Sequence, residues 1–216
     1  MVPAAVPDTF EDKVRRPGLD AIAELVGESP GRRRRGPRRK RRFTSREQIP
    51  ADAFPDYWCK ALPDLRRAYR GLCAYLGLYL HHATGNASVD HFVPKSKDWR
   101  LVYEWSNYRL CAAQINGHRG NRELLLDPFT IEPGMFALEL VGFQVIPGPE
   151  AHGAMGDIVK RTICDLGLNQ RGCWKDREEY VAAYNDGSIA LEHLERHAPF
   201  VAGELRHQGL LVRGDT

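Results

Sequence analysis

Apolar side chains recur with helical spacing over much of this chain and alternate over only a few short stretches. Between residues 55 and 80 they return every three or four positions, from Trp58 through Leu65 and Leu72 to Leu76, which predicts a helix. Because an aromatic stripe at this spacing is more often core than a surface for nucleic acid, we expect it to be buried. A second run predicts a short helix over residues 18–26.

The middle of the chain predicts two short strands followed by a helix. A Gly-Asn turn at residues 85–86 precedes a strand at residues 87–92, which Pro94 stops, and a second short strand is expected at residues 107–111. Residues 112–124 then have helical spacing despite two glycines. Two strands, a loop and a helix in this order make a ββα unit.

The C-terminal part combines a short β segment with several helices. Residues 135–146 alternate apolar and polar positions, which predicts one or two strands. Helical spacing follows in four stretches, at residues 157–166, 171–184, 189–196 and 199–208. The predicted fold class is therefore α+β and mainly helical. Its parts are an N-terminal extension with a helix (1–54), a ββα core with a supporting helix (55–130), and a β segment with C-terminal helices (131–216).

Positive charge is concentrated in one segment, which we call the basic arm, residues 31–42. The arm contains nine basic side chains and no acidic one, and since the whole chain has a formal charge of +3, the other residues together carry −6. Like charges at this density repel one another, so we expect a disordered or exposed loop. It either attracts phosphate in a salt-sensitive manner, which we favour, or is a solvated linker without a partner. The basic side chains are Arg32, Arg33, Arg34, Arg35, Arg38, Arg39, Lys40, Arg41 and Arg42.

Cysteine usage and hydropathy argue against several classes of protein. The five cysteines form no Cys-x-x-Cys pair, so we expect reduced thiols and no structural zinc. No apolar run approaches the ~20 residues that a membrane helix needs. The N-terminus also lacks the pattern of a signal peptide. We therefore expect a cytoplasmic protein that does not bind a membrane.

A carboxylate, an imidazole and two amides lie close together in the central unit. His91 is a candidate general base, because an imidazole titrates close to working pH. Asp90 would point to the opposite face of the strand, but a bend there would let it offer an oxygen ligand to Mg²⁺ or Mn²⁺. Asn116 could supply a second oxygen; His118 competes for this role, although two residues along a helix points away. Asn107 would hold the loop or orient the His91 ring.

Three motifs in the same region carry a resemblance to a known family. They are Val-Asp-His-Phe-x-Pro-Lys-Ser at residues 89–96, Trp-Ser-Asn-Tyr-Arg-Leu-Cys at 105–111 and Asn-x-x-Arg-Gly at 116–120. In this combination the chain resembles HNH endonucleases of the ββα-metal superfamily, and among them the nuclease subunits of Septu and retron-associated anti-phage systems. Further matches extend the resemblance over most of residues 55–212, at 58–66, 73–75, 126–129, 166–169 and 198–202.

The resemblance implies a metal-dependent endonuclease that cuts DNA as the effector of a bacterial defence system, beside an ATPase partner. It implies His91 as general base, Asp90 and Asn116 as ligands of Mg²⁺ or Mn²⁺, and Asn107 as the structural asparagine. On the same basis we expect Arg119 to contact phosphate, and we add Lys95, in the basic and aromatic loop after the first strand, to the expected nucleic-acid contacts.

Two other interpretations stay open. A nucleic-acid-binding module with an idle HNH scaffold would keep the arm and the fold without turnover, although an idle site has no need of all four polar residues. An RNA-binding accessory protein has only the arginine run in its favour. The chain also departs from the family pattern, because it lacks the cysteine pairs with which many relatives hold zinc. Hydrophobic packing is expected to brace the unit instead.

Overall fold

The computed structural model of this protein describes residues 1–31, 39–124, 126–212 and 214–215. Near the N-terminus a π-helical turn, Glu11–Arg15, runs directly into helix α1, Arg16–Val26. The helical segment therefore begins several residues before the predicted start at residue 18. Ile22 and Leu25 are buried, whereas Leu19, which shares their predicted face, is 38% exposed. Gly27 ends the helix with a φ of 83°, a left-handed conformation that favours glycine.

The long helix predicted over residues 55–80 is wrong beyond residue 68. A 3₁₀ segment, Tyr57–Ala61, leads into helix α2, Leu62–Ala68, where the helix stops. Arg70 and Gly71 have φ values of 52° and 74°, which no right-handed helix contains. The chain then folds back so that Leu72 forms an isolated antiparallel bridge with Tyr79. The apolar side chains of this stretch are spaced as in a helix because they are buried or partly buried, although the backbone is not helical.

The predicted ββα unit is present, with shorter elements than expected. Strand β1, Ala87–His91, pairs antiparallel with strand β2, Tyr108–Ala112. Helix α3, Ala113–Arg119, follows β2 directly and contacts both strands. It ends at Gly120, whose φ of 56° breaks the helix before the predicted end at residue 124.

The C-terminal part follows the predicted pattern closely. Strands β3, Phe136–Glu139, and β4, Gln144–Pro147, form an antiparallel pair. Four helices complete this part of the fold: α4, Ala154–Leu166; α5, Arg171–Asn185; α6, Leu191–His197; and α7, Pro199–His207. The α+β, mainly helical class is thus confirmed. Across the described ranges, no helix has the length and apolar character needed to cross a lipid bilayer.

Two apolar clusters hold these elements together. The larger cluster joins the N-terminal helix to the hairpin, and Phe10 packs edge-to-face on Trp105 and Tyr108 at ring distances of 5.6 and 5.8 Å. The smaller cluster lies among α5, α6, α7 and β3. Leu76 and Phe200 pack against both clusters. The ββα unit is therefore supported on one side by the N-terminal extension and on the other by the C-terminal helices.

The close contact of α1 with Tyr103 allows a stability test. A Cβ atom at Gly18 would lie 2.3 Å from Cγ of the buried Tyr103 ring, so we expect Gly18→Ala to destabilise the protein by about 1–3 kcal/mol through overpacking. Gly203→Ala in α7 is the matched control, because a Cβ there meets no described atom within 4 Å. Its higher helix propensity should stabilise by up to ~1 kcal/mol. Urea denaturation measures both; equal effects of the same sign would contradict the packing of α1 on Tyr103.

Candidate functional site

His91 is the last residue of β1, and its ring is held in one orientation. The ring is 7% exposed and packs edge-on against Trp58 and Tyr108, with ring distances of 5.0 and 5.1 Å. Its Nε2 lies 2.9 Å from the backbone oxygen of Val102. Burial lowers the pKa of His91 to about 3, with the charges of Lys95 and Arg119 acting in the same direction. The ring is therefore neutral near pH 7.

The contact with Val102 also assigns the tautomer of the neutral ring. A carbonyl oxygen only accepts hydrogen bonds, so Nε2 must carry the hydrogen and donate it to Val102. The lone pair of the ring then lies on Nδ1. The arrangement leaves Nδ1 as the only nitrogen of His91 that can accept a proton.

Asn107 closes the loop that connects the two strands. Its Oδ1 accepts a hydrogen bond from the Val93 N–H at 2.7 Å, while its Nδ2 donates to the backbone oxygens of Val93 and Leu101 at 3.0 and 3.1 Å. The residue after Leu101 is Val102, which binds the His91 ring. Of the two predicted roles of Asn107, the structure has the loop contacts. The ring is oriented by the loop's carbonyl group, without a direct bond to Asn107.

Asp90 points away from His91 into a buried ion pair. Nη1 of Arg119 donates to both carboxylate oxygens, at 2.5 and 2.6 Å, and the Tyr75 hydroxyl donates to Oδ2 at 2.5 Å. The strand does not bend at this point, because Asp90 and His91 are both paired in register with β2. The bend that would bring the carboxylate and the imidazole onto one face is therefore absent.

The side chain of Arg119 is buried inside the ββα unit. The side chain is 1% exposed, and besides Asp90 it donates to the backbone oxygens of His91 and Phe92 at 2.7 and 2.5 Å. The expectation that Arg119 contacts phosphate is wrong for this arrangement, since its guanidinium faces the protein interior. Tyr75, which completes the cluster, was expected only as a core aromatic, and nothing in its spacing distinguishes it from its neighbours.

Asn116 lies on the same side of the hairpin as Asp90. Its Nδ2 donates to Ser88 Oγ and to the Val89 backbone oxygen, at 3.1 and 3.3 Å. Its Oδ1 accepts no hydrogen bond from any residue within the described ranges. His118, the competing ligand, turns toward α4 and α5, where Nε2 of Gln170 approaches its Nδ1 at 2.9 Å. The helix therefore separates the two candidates as its periodicity predicts.

The donors fit a hard divalent cation in type, but one of them is already neutralised. A carboxylate and an amide oxygen are ligands that Mg²⁺ and Mn²⁺ accept, with water and phosphate oxygens completing the shell. Among the described residues, no group of three or more His, Cys, Asp and Glu side chains is placed to hold a metal ion. A cation at Asp90 and Asn116 must therefore displace the guanidinium of Arg119 from the carboxylate.

Cationic side chains pack on two aromatic rings, Trp58, which contacts His91, and Trp99, in the loop between the two strands. Lys95 Nζ lies 4.1 Å from the centre of the Trp58 ring, the same ring that packs on His91. Trp99 has guanidinium groups at 5.0 and 5.1 Å, from Arg46 and Arg100. Alternation of cations and aromatic rings suits contact with nucleic acid, because the former attract phosphate and the latter stack on bases.

The basic arm is described only in part. Residues 32–38, and with them Arg32, Arg33, Arg34, Arg35 and Arg38, lie outside the described residues. The remaining part packs on the end of α1, where the Arg42 N–H donates to the Leu25 backbone oxygen at 2.8 Å. The Arg39 guanidinium binds Glu24 and the Tyr57 hydroxyl, at 3.4 and 3.3 Å. Residues 39–42 form neither helix nor strand, and Lys40, Arg41 and Arg42 are exposed, which agrees with the expected exposed loop.

Comparison with known proteins adds no relative. No model of a known protein family matches this sequence, and no curated protein matches it. The resemblance to HNH endonucleases therefore depends on the three sequence motifs alone.

Asn107 offers a direct test of how the site is held. Asn107→Ala removes three hydrogen bonds, two of them to the N–H and C=O of Val93, whereas the Leu101 oxygen still accepts from the Glu104 N–H. We therefore expect a loss of roughly 2–4 kcal/mol in the free energy of unfolding. The Val93 amide should also exchange faster with deuterium. Asn121→Ala is the control, since Asn121 is exposed, and should change stability by less than about 0.5 kcal/mol. An unchanged exchange rate at Val93 would show that Asn107 does not hold the loop.

Proposed function

We propose that this protein is a metal-dependent HNH-type endonuclease that hydrolyses phosphodiester bonds in DNA. The observation that carries the proposal is the placement of His91 at the end of β1, in a ββα unit, with its ring oriented by the Val102 carbonyl and its Nδ1 unprotonated. The three motifs of the HNH resemblance coincide with the two strands and the helix of this unit.

His91 is the residue to which we assign proton transfer. Its Nδ1 accepts the proton of the attacking water, and the Val102 carbonyl stabilises the imidazolium that forms, because Nε2–H already donates to it. Asn107 acts on this step only through the loop that carries Val102. A general base with a strongly lowered pKa is weak, so the negative charge of an incoming phosphate has to favour the protonated ring.

Asp90 and Asn116 are the residues that would hold the cation. Bound Mg²⁺ or Mn²⁺ would supply charge neutralisation at the scissile phosphate and at the leaving oxygen. Before a cation there can act on the same phosphate as His91, the Asp90 carboxylate must separate from Arg119, and the strand must bend at this point, because the two side chains lie on opposite faces of β1. According to this proposal, the structure represents an inactive form of the site. In this form Arg119 is paired with the carboxylate that the cation needs.

The substrate and the partner are supported to different degrees. DNA binding is supported by the cations on the rings of Trp58 and Trp99, among them Lys95 and Arg100, and by the exposed part of the basic arm. A role as effector of an anti-phage defence system, working with an ATPase subunit, comes from the resemblance only.

A nucleic-acid-binding module with an idle HNH scaffold is the second candidate. It is favoured by the burial of His91 and by the ion pair that neutralises Asp90, since both features oppose turnover. This candidate predicts binding of DNA without cleavage under every metal condition.

Cleavage assays with histidine variants distinguish the two candidates. Wild type, His91→Ala and His91→Gln are incubated with plasmid, linear and single-stranded DNA and with RNA, each with and without Mg²⁺ or Mn²⁺. We expect metal-dependent nicking of DNA that both substitutions reduce roughly a hundredfold or more, because a general base contributes 10²–10⁴ in rate. Binding of DNA, measured by anisotropy, should persist. His118→Ala is the control and should cut as wild type does.

Circular dichroism and thermal denaturation must first show that each variant is folded, so that a loss of cleavage can be attributed to the substituted residue. Equal cutting by wild type and a folded His91 variant would refute His91 as the base. Loss of cutting in His118→Ala would transfer the metal site to His118. DNA binding without cutting, also in the presence of the protein encoded next to this one, would favour the idle module.

The exposed part of the basic arm can be tested by salt dependence. Lys40, Arg41 and Arg42 are replaced together by glutamine, while Arg39 is kept because it is paired with Glu24. We expect weaker DNA binding and a smaller slope of log K against log salt concentration, by about 0.9 for each lost phosphate contact. The control removes three exposed cations elsewhere, Lys160, Arg161 and Lys175. Identical slopes for both triple variants would exclude the arm from binding.

A further inference from the structure

A large cavity lies between the C-terminal helices and the segment that follows α2. It has a volume of about 950 Å³, which is in the range of small-molecule sites. Its walls are mainly apolar, with Leu72, Leu76, Phe136, Leu166, Leu168 and Phe200 among the lining residues. It also has one buried cation in its wall, Arg177 of α5.

Arg177 is a buried charge without a carboxylate partner. The side chain is 2% exposed, and its Nη2 donates to the Leu168 backbone oxygen. Nε has no hydrogen-bond partner, and neither Nη1 nor any other atom of the guanidinium pairs with an acid within the described part of the chain. Although burial lowers the pKa of Arg177, a guanidinium stays charged near neutral pH.

An unpaired buried charge is unfavourable unless something neutralises it. Arg177 is one of the residues that line an open cavity, so a ligand at the cavity wall could supply the missing anion. Because Nε itself is buried, a small rotation of the side chain would have to accompany this contact. Three glutamates, Glu132, Glu150 and Glu204, line the same cavity. Their charges oppose any anion and exclude a polyanion such as a nucleotide or an oligophosphate most strongly, so a bound monoanion must place its charge beside Arg177 and away from the three glutamates. The combination of one cation, apolar walls and neighbouring acids favours a ligand with a single negative charge on an apolar body.

We propose that this cavity binds a small amphiphilic carboxylate, whose head group pairs with Arg177 and whose apolar body lies along the leucine and phenylalanine walls. The site contains neither His91 nor Asp90, and Tyr75, which donates to Asp90, is the residue that lines the cavity and also contacts the proposed nuclease site. A carboxylate matches the planar donors of the guanidinium, and it would neutralise the charge and offer an acceptor to the N–H groups that Leu168 does not bind.

Calorimetry with three ligands of one chain length tests the head group. Decanoate, decan-1-ol and decylammonium are titrated, below their critical micelle concentrations, into the full-length protein. We expect decanoate to bind in a 1:1 ratio and at least tenfold more tightly than the alcohol, with no measurable binding of the amine. Equal affinities for acid and alcohol would overturn the role of Arg177, and absence of decanoate binding would overturn the site.

Substitutions locate the binding within the cavity. Arg177→Met keeps an apolar stem and should bring the ratio of acid to alcohol affinity close to one, whereas Arg171→Met, at an exposed position of the same helix, should leave it unchanged. Gly203→Leu places a side chain where Gly203 lines the cavity, and should abolish binding of both ligands. It serves as the second test if Arg177→Met does not fold. Full decanoate binding in a folded Gly203→Leu variant would refute the location.

Titration with a peptide distinguishes a small-molecule site from a site that binds a partner protein. The peptide acetyl-Leu-Phe-Leu, with a free C-terminal carboxylate, presents the same charge on an apolar chain. Binding of decanoate with no binding of the peptide supports the small-molecule assignment. Binding of the peptide with no binding of decanoate overturns it, and would assign the cavity to the C-terminus of a partner protein.

Discussion

The buried ion pair between Asp90 and Arg119 is the contact on which the central unit depends. It joins β1 to the end of α3, and the same guanidinium binds two carbonyl groups of the chain just after Asp90. Breaking one partner of a buried pair typically costs about 3–5 kcal/mol, because the other charge stays buried without compensation. The pair therefore fixes the position of the helix on the hairpin, and with it the distance between Asp90 and Asn116.

The same pair has opposite consequences for structure and for chemistry. As a structural element it is well satisfied, with the Tyr75 hydroxyl donating a further hydrogen bond to the carboxylate. The pair also blocks the proposed metal site, since Arg119 neutralises the carboxylate that a cation needs. On the proposed function, turnover thus requires a change at Arg119 as well as a substrate. His91 is not subject to this constraint, because its ring lies on the other face of the strand and is held by Val102.

The segment after α2 contacts both the proposed metal ligand Asp90 and the cavity that contains Arg177. Tyr75 reaches Asp90 through its hydroxyl, while Leu72, Leu76 and Gly77 line the cavity that contains Arg177. The segment is irregular, with left-handed glycines at both ends. Packing of Leu76 and Phe200 against both apolar clusters makes it a shared wall. A ligand in the cavity would therefore contact the same segment that supplies a hydrogen bond to the proposed metal ligand.

Periodicity and short motifs were sufficient to predict most elements of this protein. The two strands of the hairpin, the helix after it and the four C-terminal helices follow from local spacing, because burial of one face repeats at 2.0 or 3.6 residues. The loop contacts of Asn107 and the separation of Asn116 from His118 agree with the same local arguments. Where spacing and backbone conformation disagreed, as at Arg70 and Gly71, the prediction of a long helix was wrong.

Tertiary structure decided which charges meet. Nothing in the sequence shows that Arg119 pairs with Asp90, 29 positions away, or that Arg177 has no acid beside it. Both facts depend on long-range packing, which places the end of one helix on a strand and buries another helix against a cavity. Sequence patterns report how much of a side chain is buried; only the folded chain determines what faces it there.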